Sequence, residues 1–242
     1  MNTDKKQALS VHLKAIRRML IVSVASVAVL FILFFYLLCG PLVDFVLAPV
    51  RARGIEDNTT SVTEALMMQF KVCLIAAVIA GMPVIIWQVW IFVAPALYPQ
   101  EKRLFAALFF VALLLFVGGV VFCYCLVFPM AIDLFWSAAD GVASTLWSVK
   151  EYFNFVLSFV LPFGLMFELP VVVYMLARRG LVTYQKLAHS RKYVILVIAI
   201  IAAILTPPDA VSQCMLAIPM VLLYEVAAQL ARLVKPKKPA ET

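Results

Sequence analysis

Residues 104–135 read LFAALFFVALLLFVGGVVFCYCLVFPMAIDLF, with no charge before Asp133, and Lys102 and Arg103 stand immediately ahead of them. At about 1.5 Å per residue, a helix of this length exceeds the hydrocarbon core of a bilayer, roughly 30 Å thick. A run this long and this apolar reads as a membrane span that must tilt, bend or protrude. Pro129 supplies a place for a bend. Five more apolar runs extend the pattern to either side, at about residues 19–38, 66–93, 153–177, 193–205 and 211–230.

The six runs leave seven polar segments, and lysine and arginine divide unevenly among them. Segments one, three, five and seven hold 5, 2, 5 and 4 of these residues, whereas segments two, four and six hold 2, 1 and 0. The remaining cation, Lys71, lies inside a run. Cytoplasmic loops of membrane proteins carry the excess of Lys and Arg. Both termini and the odd segments are therefore expected in the cytoplasm.

Composition agrees. The 242 residues are 65% hydrophobic and 14% charged, against about 45–50% and about 25% in soluble chains. No segment is long enough for a separate soluble domain, so residues 1–242 are expected to form one six-span, all-α domain. The net charge of +7 points to orientation and anionic headgroups rather than nucleic acid, because it is concentrated on one face. The run from Ile21 to Leu38 is too long for the apolar part of a signal peptide and lacks a small-x-small cleavage site, so it is read as a retained span.

Local signals refine this plan. Leu9, Leu13, Ile16 and Leu20 recur at helical spacing among Lys6, Lys14, Arg17 and Arg18, a pattern for an amphipathic helix at the membrane surface before span one. Gly40-Pro41 should stop span one. Residues 42–50 suit a short interfacial helix ended by Pro49, and Gly54–Thr60 a polar turn. Ser61-x-x-Glu64 and Ser148-x-x-Glu151 are capping boxes before spans two and four. Prolines 83 and 129 should bend spans two and three, and Pro95 and Pro99 stiffen the loop between them. Span four, with Pro162 and Pro170, should end at Arg178-Arg179-Gly180. Span five has only about 13 apolar residues, near 20 Å, which predicts thinning or partial burial. The turn Thr206-Pro207-Pro208-Asp209 joins it to span six. The basic tail from Arg232 is expected to be disordered.

Ionisable groups inside a membrane are costly and usually functional. Glu168 is the sharpest, in Phe167-Glu168-Leu169-Pro170, deep within span four. An ionised carboxylate there needs a partner or gives way to the neutral acid. It reads as a polar contact for another helix or a substrate, against the alternative of an internally paired structural carboxylate. Lys71 and Glu225 lie nearer the surfaces, where long side chains snorkel. Gln213, beside the Pro-Pro turn, can hydrogen-bond across helices. On the inner face only Asp4, Glu101 and Glu241 are acidic. Glu101 alone sits on a short stiffened loop, where it can anchor a guanidinium or pair locally with Lys102, Arg103 or Lys71.

No catalytic or metal-ligating set accompanies them. His12 and His189 stand apart, and the five cysteines are scattered; Cys123 and Cys125, two apart on a helix, face different sides. No cofactor is implied, and an enzyme is not expected. Two rival readings remain, a proton-coupled solute transporter using Glu168 as relay and a purely structural scaffold. The absence of a visible internal repeat weighs against a transporter.

Trp87-Gln88-Val89-Trp90-Ile91-Phe92-Val93-Ala94-Pro95-Ala96-Leu97-Tyr98, followed by Glu101, resembles the first cytoplasmic loop of TatC proteins, the multispanning receptor component of the twin-arginine protein translocase. The resemblance extends through Phe167–Pro170, Leu205–Asp209 and Ala217-Ile218-Pro219, and through His12-Leu13 and Arg17 near the amino terminus. It implies six tilted helices in a concave, glove-like arrangement in the bacterial cytoplasmic (inner) membrane. It implies a receptor for twin-arginine signal peptides that works with single-span TatA- or TatB-type partners, self-associates in a larger complex, and moves folded proteins using the proton-motive force. By that resemblance Glu101 contacts the arginine pair, with Arg17, Phe92, Leu13 and Tyr98 at the same site. Glu168 lies in the concave face, Thr206 and Gln213 meet a partner helix, and Pro49 and Asp209 are sensitive outer-loop positions. One position departs: where the family usually has a glutamate two residues before Arg17, this chain has Ala15, preceded by Lys14.

Overall fold

The computed structural model describes residues 2–52, 62–93, 102–139, 149–206 and 210–234, with side chains over 13–52, 63–91, 103–104, 106–133, 152–206 and 210–234. Described residues form α1 (Asn2–Leu37), α2 (Cys39–Arg51), α3 (Val62–Val93), α4 (Lys102–Phe122), a π-helical turn (Cys123–Val127), α5 (Phe128–Ala139), α6 (Val149–Phe167), α7 (Leu169–Arg178), α8 (Tyr184–Leu205) and α9 (Ala210–Leu233). Among the described residues six stretches are long and apolar enough to cross a membrane: 13–37, 63–91, 106–133, 152–178, 184–205 and 210–233. The chain divides into two compact units, residues 1–48 with 61–113, and residues 49–60 with 114–242.

In the first unit α1 and α3 pack antiparallel. Gly81 of α3 faces Val27 and Leu30 of α1, while Phe70 stacks on Phe31 and Phe35 at centroid distances of 5.8 and 4.7 Å. On α3 the residues Cys73, Ala77, Gly81, Ile86 and Trp90 are buried at spacings of four or five, a single helical stripe. Trp87 meets Phe109 of α4 edge to face at 5.3 Å. Along α1, by contrast, Val24, Val29, Ile32 and Tyr36 are exposed, as befits a helix whose solvent is lipid.

The second unit holds a phenylalanine-rich core of Phe116, Phe128, Phe153, Phe159 and Phe163. Its tightest contact is reciprocal. A Cβ added to Gly119 of α4 would lie 2.9 Å from the Phe163 carbonyl oxygen and the Phe167 ring, and one on Gly164 of α6 would lie 2.5 Å from the Phe116 ring. Each helix thus offers a glycine notch to the other's aromatic side chain, the small-residue approach favoured between helices in lipid. Near the C-terminal end of α7, Val173, Ala177, Ala227 and Ala231 form a small buried cluster with Leu169, Leu187 and Val234 packed against it.

Prolines act differently from expectation in several places. Span three bends through a π turn: Phe128 donates its N–H to Cys123, five residues back. Pro129 has no N–H for Cys125 and its ring would crowd that carbonyl; taking in one extra residue relieves both. Span four is two helices meeting at Glu168, with Pro170 in the first turn of α7, where a missing N–H goes unfelt. Gly40 and Pro41 do not follow the end of α1 as a loop; they lie in the first turn of α2, which begins after the single turn residue Leu38. Pro49 does not end α2, which continues to Arg51 because one lost bond is tolerated in a final turn.

Two other expectations are corrected. The amphipathic segment and span one are one unbroken helix of 36 residues, since neither Gly nor Pro interrupts the sequence before Gly40. Helix α8 starts at Tyr184, not near residue 193, because Thr183 caps it by accepting from the Lys186 N–H at 3.4 Å. Its 22 residues span a full hydrocarbon core at about 1.5 Å each, so length alone demands no thinning. The end of span four is as expected. Gly180, at φ 71°, takes the left-handed conformation, and Gly180 and Leu181 donate to Ala177 and Leu176 in a Schellman closure. The turn 54–60, residues Ser61 and Ser148, the loop 94–101 and the tail beyond Val234 lie outside the described residues.

The glycine notches set a stability test. Replacing Gly119 or Gly164 by valine overpacks a closed contact and should cost about 1–3 kcal/mol, read as a lower midpoint of thermal unfolding in detergent. Gly118, with nothing within 4 Å of an added Cβ, should accept valine with an unchanged midpoint.

Candidate functional site

The α6–α7 joint positions Glu168. Its N–H donates to Leu165 and its carbonyl accepts from Val171 and Val172, all at 3.1 Å, so the backbone is fully used while the helix axis is interrupted. The side chain is half-buried, and its Oε1 is buried without a hydrogen-bond partner. The alternative of an internally paired carboxylate is therefore not met at that oxygen. A buried acceptor left open is costly, and it presents a fixed polar point to whatever occupies the space beside it.

The α8–α9 hairpin carries the next group. Thr206 is buried and its hydroxyl donates to the Ala202 carbonyl at 2.9 Å. Gln213 donates through Nε2 to the Ala199 carbonyl at 3.1 Å, tying α9 to α8. The interhelical bond anticipated for Gln213 is thus made within the chain. Ser212, fully buried, is a polar core residue that the sequence reading did not single out.

The far end of the hairpin holds a cluster that was also missed. Glu225 does not snorkel alone: its Oε1 accepts from Arg191 Nη2 and from Gln229 Nε2, the latter at 3.1 Å. Arg191 also donates to the Tyr184 hydroxyl at 3.4 Å. The guanidiniums of Arg191 and Arg232 lie 6.0 and 5.9 Å from the centre of the Tyr184 ring, and the Tyr224 hydroxyl donates to the Leu187 carbonyl at 2.8 Å. A sequence signal existed. Arg191 precedes Pro208 by 208 − 191 = 17 residues and Glu225 follows it by 225 − 208 = 17, so an antiparallel hairpin turning there brings them together.

The remaining candidates lie apart or beyond description. Leu13, Arg17 and Ala15 are exposed on α1, and Lys71 is exposed on α3. Phe92 is in the last turn of α3, but its side chain lies outside the described residues, as do Tyr98, Glu101 and Asp209. Pro49 is half-buried near the end of α2. Leu13, Arg17 and Phe92 belong to the first unit; Pro49, Glu168, Thr206 and Gln213 belong to the second. Cys123 is buried and Cys125 exposed, facing different sides as their spacing required.

Among the described residues no group of His, Cys, Asp or Glu could hold a metal ion. A lone carboxyl, an amide and a hydroxyl on apolar helices can hold a helix or a peptide. The fold and these residues define a multi-pass, all-helical membrane protein. The family described as Sec-independent protein translocase protein (TatC) matches residues 11–219. The Carboxydothermus hydrogenoformans protein of that name is 39% identical over 97% of both chains. Its Haemophilus influenzae counterpart is 35% identical over 98% of this chain and 93% of its own. A crystal structure titled as the twin-arginine translocase receptor TatC superposes with a TM-score of 0.85, at 36% identity, over 92% of this chain and 98% of that one.

The chain belongs to the TatC family of Sec-independent protein translocase components. Protein translocation thereby displaces the solute-transporter reading, and the family is one of translocase components rather than enzymes.

The Arg191–Glu225 pair lends itself to a double-mutant cycle. Its side chains are 40% and 39% exposed, so solvent screening holds the coupling below about 1 kcal/mol. Unfolding midpoints of Arg191→Gln, Glu225→Gln and the double variant should show the double variant losing less than the sum of the singles.

Proposed function

We propose that this chain is the signal-peptide receptor of a twin-arginine translocase in a bacterial cytoplasmic membrane, with both termini in the cytoplasm. Glu101 anchors the arginine pair of a precursor, and Leu13, Arg17, Phe92 and Tyr98 complete that recognition surface. The apolar part of the signal peptide then enters among the helices, where the open Glu168 carboxyl meets it or a partner helix. Thr206 and Gln213 mark the docking place of a single-span TatA- or TatB-type subunit. Pro49 and Asp209 belong to the outer side. Copies of the chain associate in a larger complex, and the proton-motive force moves the folded cargo.

One observation carries this reading. The family match at residues 11–219 takes in every residue named, from Leu13 to Gln213, and the solved relative is titled a receptor. The confinement of cations to alternate segments supports the orientation, because a recognition loop beside Lys102 and Arg103 must face the compartment where precursors are made.

Glu101→Gln keeps size and polarity but removes the charge. It should abolish export of a folded twin-arginine reporter while membrane insertion, assayed by alkali-resistant association, is unchanged. Unimpaired export would remove Glu101 from the role. Ala15 makes a second expectation: Ala15→Glu adds an exposed acid beside Arg17 and should tighten binding of a twin-arginine peptide. A regained charge-assisted contact of about 1–3 kcal/mol corresponds to roughly five- to a hundredfold in Kd, measurable by fluorescence anisotropy.

A further inference from the structure

At one end of the second unit, the C-terminal ends of α7 and α9 meet the N-terminal turns of α8. The packing of Ala177, Leu187, Ala231 and Val234 around one small cluster brings them together. Arg178, Arg179, Lys186, Arg191, Lys192 and Arg232 stand at this end, and among the described residues of these three segments Glu225 is the one acid. Glu225 engages Arg191, so one acid stands against six cations among the described residues at this end.

The cations are held rather than loose. The Tyr184 ring carries the guanidiniums of both Arg191 and Arg232, and Tyr184 itself is fixed in the first turn of a helix that Thr183 caps. Two guanidinium donors are buried with no acceptor among the described residues, Arg179 Nη2 and Arg191 Nε. Leaving a charged donor buried and unmet is unfavourable unless an external acceptor completes it. The acceptor suited to planar, forked donors is a phosphate or carboxylate. Apolar side chains flank the same end, with Leu181 60% and Leu233 78% exposed.

We propose that this end of α7, α8 and α9 is a binding site for the phosphate headgroup of an anionic phospholipid. Arg179, Arg191 and Arg232 take the phosphate oxygens, and the acyl chains run back along exposed apolar side chains of the spans such as Leu196 and Val226. Free phosphate shares the headgroup chemistry, but the apolar spans that end at these arginines favour a ligand with a tail. The site is independent of the signal-peptide reading, since none of its residues serves there.

The test is native mass spectrometry of the purified full chain, incubated in detergent with phosphatidylglycerol or with phosphatidylcholine of the same acyl chains. Phosphatidylglycerol should be retained preferentially. Arg179→Gln with Arg232→Gln spares the Arg191–Glu225 pair, and should weaken retention about thirtyfold for the two cations removed. Lys14→Gln with Arg18→Gln on α1 removes the same charge elsewhere and should leave retention unchanged. Circular dichroism of both variants verifies folding; if the first is unfolded, Arg232→Lys, which keeps charge but loses the fork, should still show weakened retention in a folded chain. Equal retention of the two lipids, or equal loss in the α1 variant, would overturn the site. Displacement of phosphatidylglycerol by millimolar inorganic phosphate would assign it to free phosphate and overturn the lipid.

Discussion

Every backbone N–H and C=O that enters the bilayer core must find its partner inside the protein, because no water is there to supply one. That constraint shapes each irregularity of this chain. At Pro129 the missing donor is handled by widening one turn to π geometry over Cys123–Val127. At Pro170 the helix is broken two residues earlier, at Glu168, so that proline falls in the first turn of α7. At Gly180 the last carbonyls of α7 are closed by a left-handed glycine. Three interruptions receive three different answers.

This explains what could be read from sequence. The number of spans and their approximate places followed from apolar run length, since length and lack of charge are what a bilayer selects. Boundaries were less legible. The start of α8 lies nine residues before the apolar run begins at Tyr193, 193 − 184 = 9, because a capped helix extends through polar residues as readily as apolar ones. The prolines were legible as breaks but not in kind. Whether Pro129 produces a kink or a π turn depends on how neighbouring carbonyls can shift, and that is decided by packing around Cys123 and Phe128 rather than by the residue itself.

The functional residues divide in the same way. Glu168 stood out because a carboxylate in an apolar run is expensive wherever it points. Gln213 was legible as an interhelical donor, and it reaches the Ala199 carbonyl. Arg191 and Glu225 are not paired by the sequence reading, because snorkelling accounts for Glu225 alone and Arg191 counts only as one cation of a basic segment. Only the hairpin register joins them. Glu101, the anchor proposed for the arginine pair, lies outside the described residues, so its case stands on charge and on its likeness to the family.

The polar groups embedded in the second unit fall into two kinds, and the difference bears on how a receptor of this fold can work. Thr206 and Gln213 spend their donors on carbonyls of α8, which ties the hairpin near its turn. The Oε1 of Glu168 has no such acceptor role filled, and it sits where two helices join. Filling an open acceptor in a low-dielectric setting contributes more than exchanging one satisfied hydrogen bond for another. On the proposed function, an incoming helix with a donor at the right depth would gain most at Glu168, beside a hairpin already tied by its own hydrogen bonds. On that proposal, recognition inside the membrane turns on the polar group left unfinished, and that group stands at the helix break before Pro170.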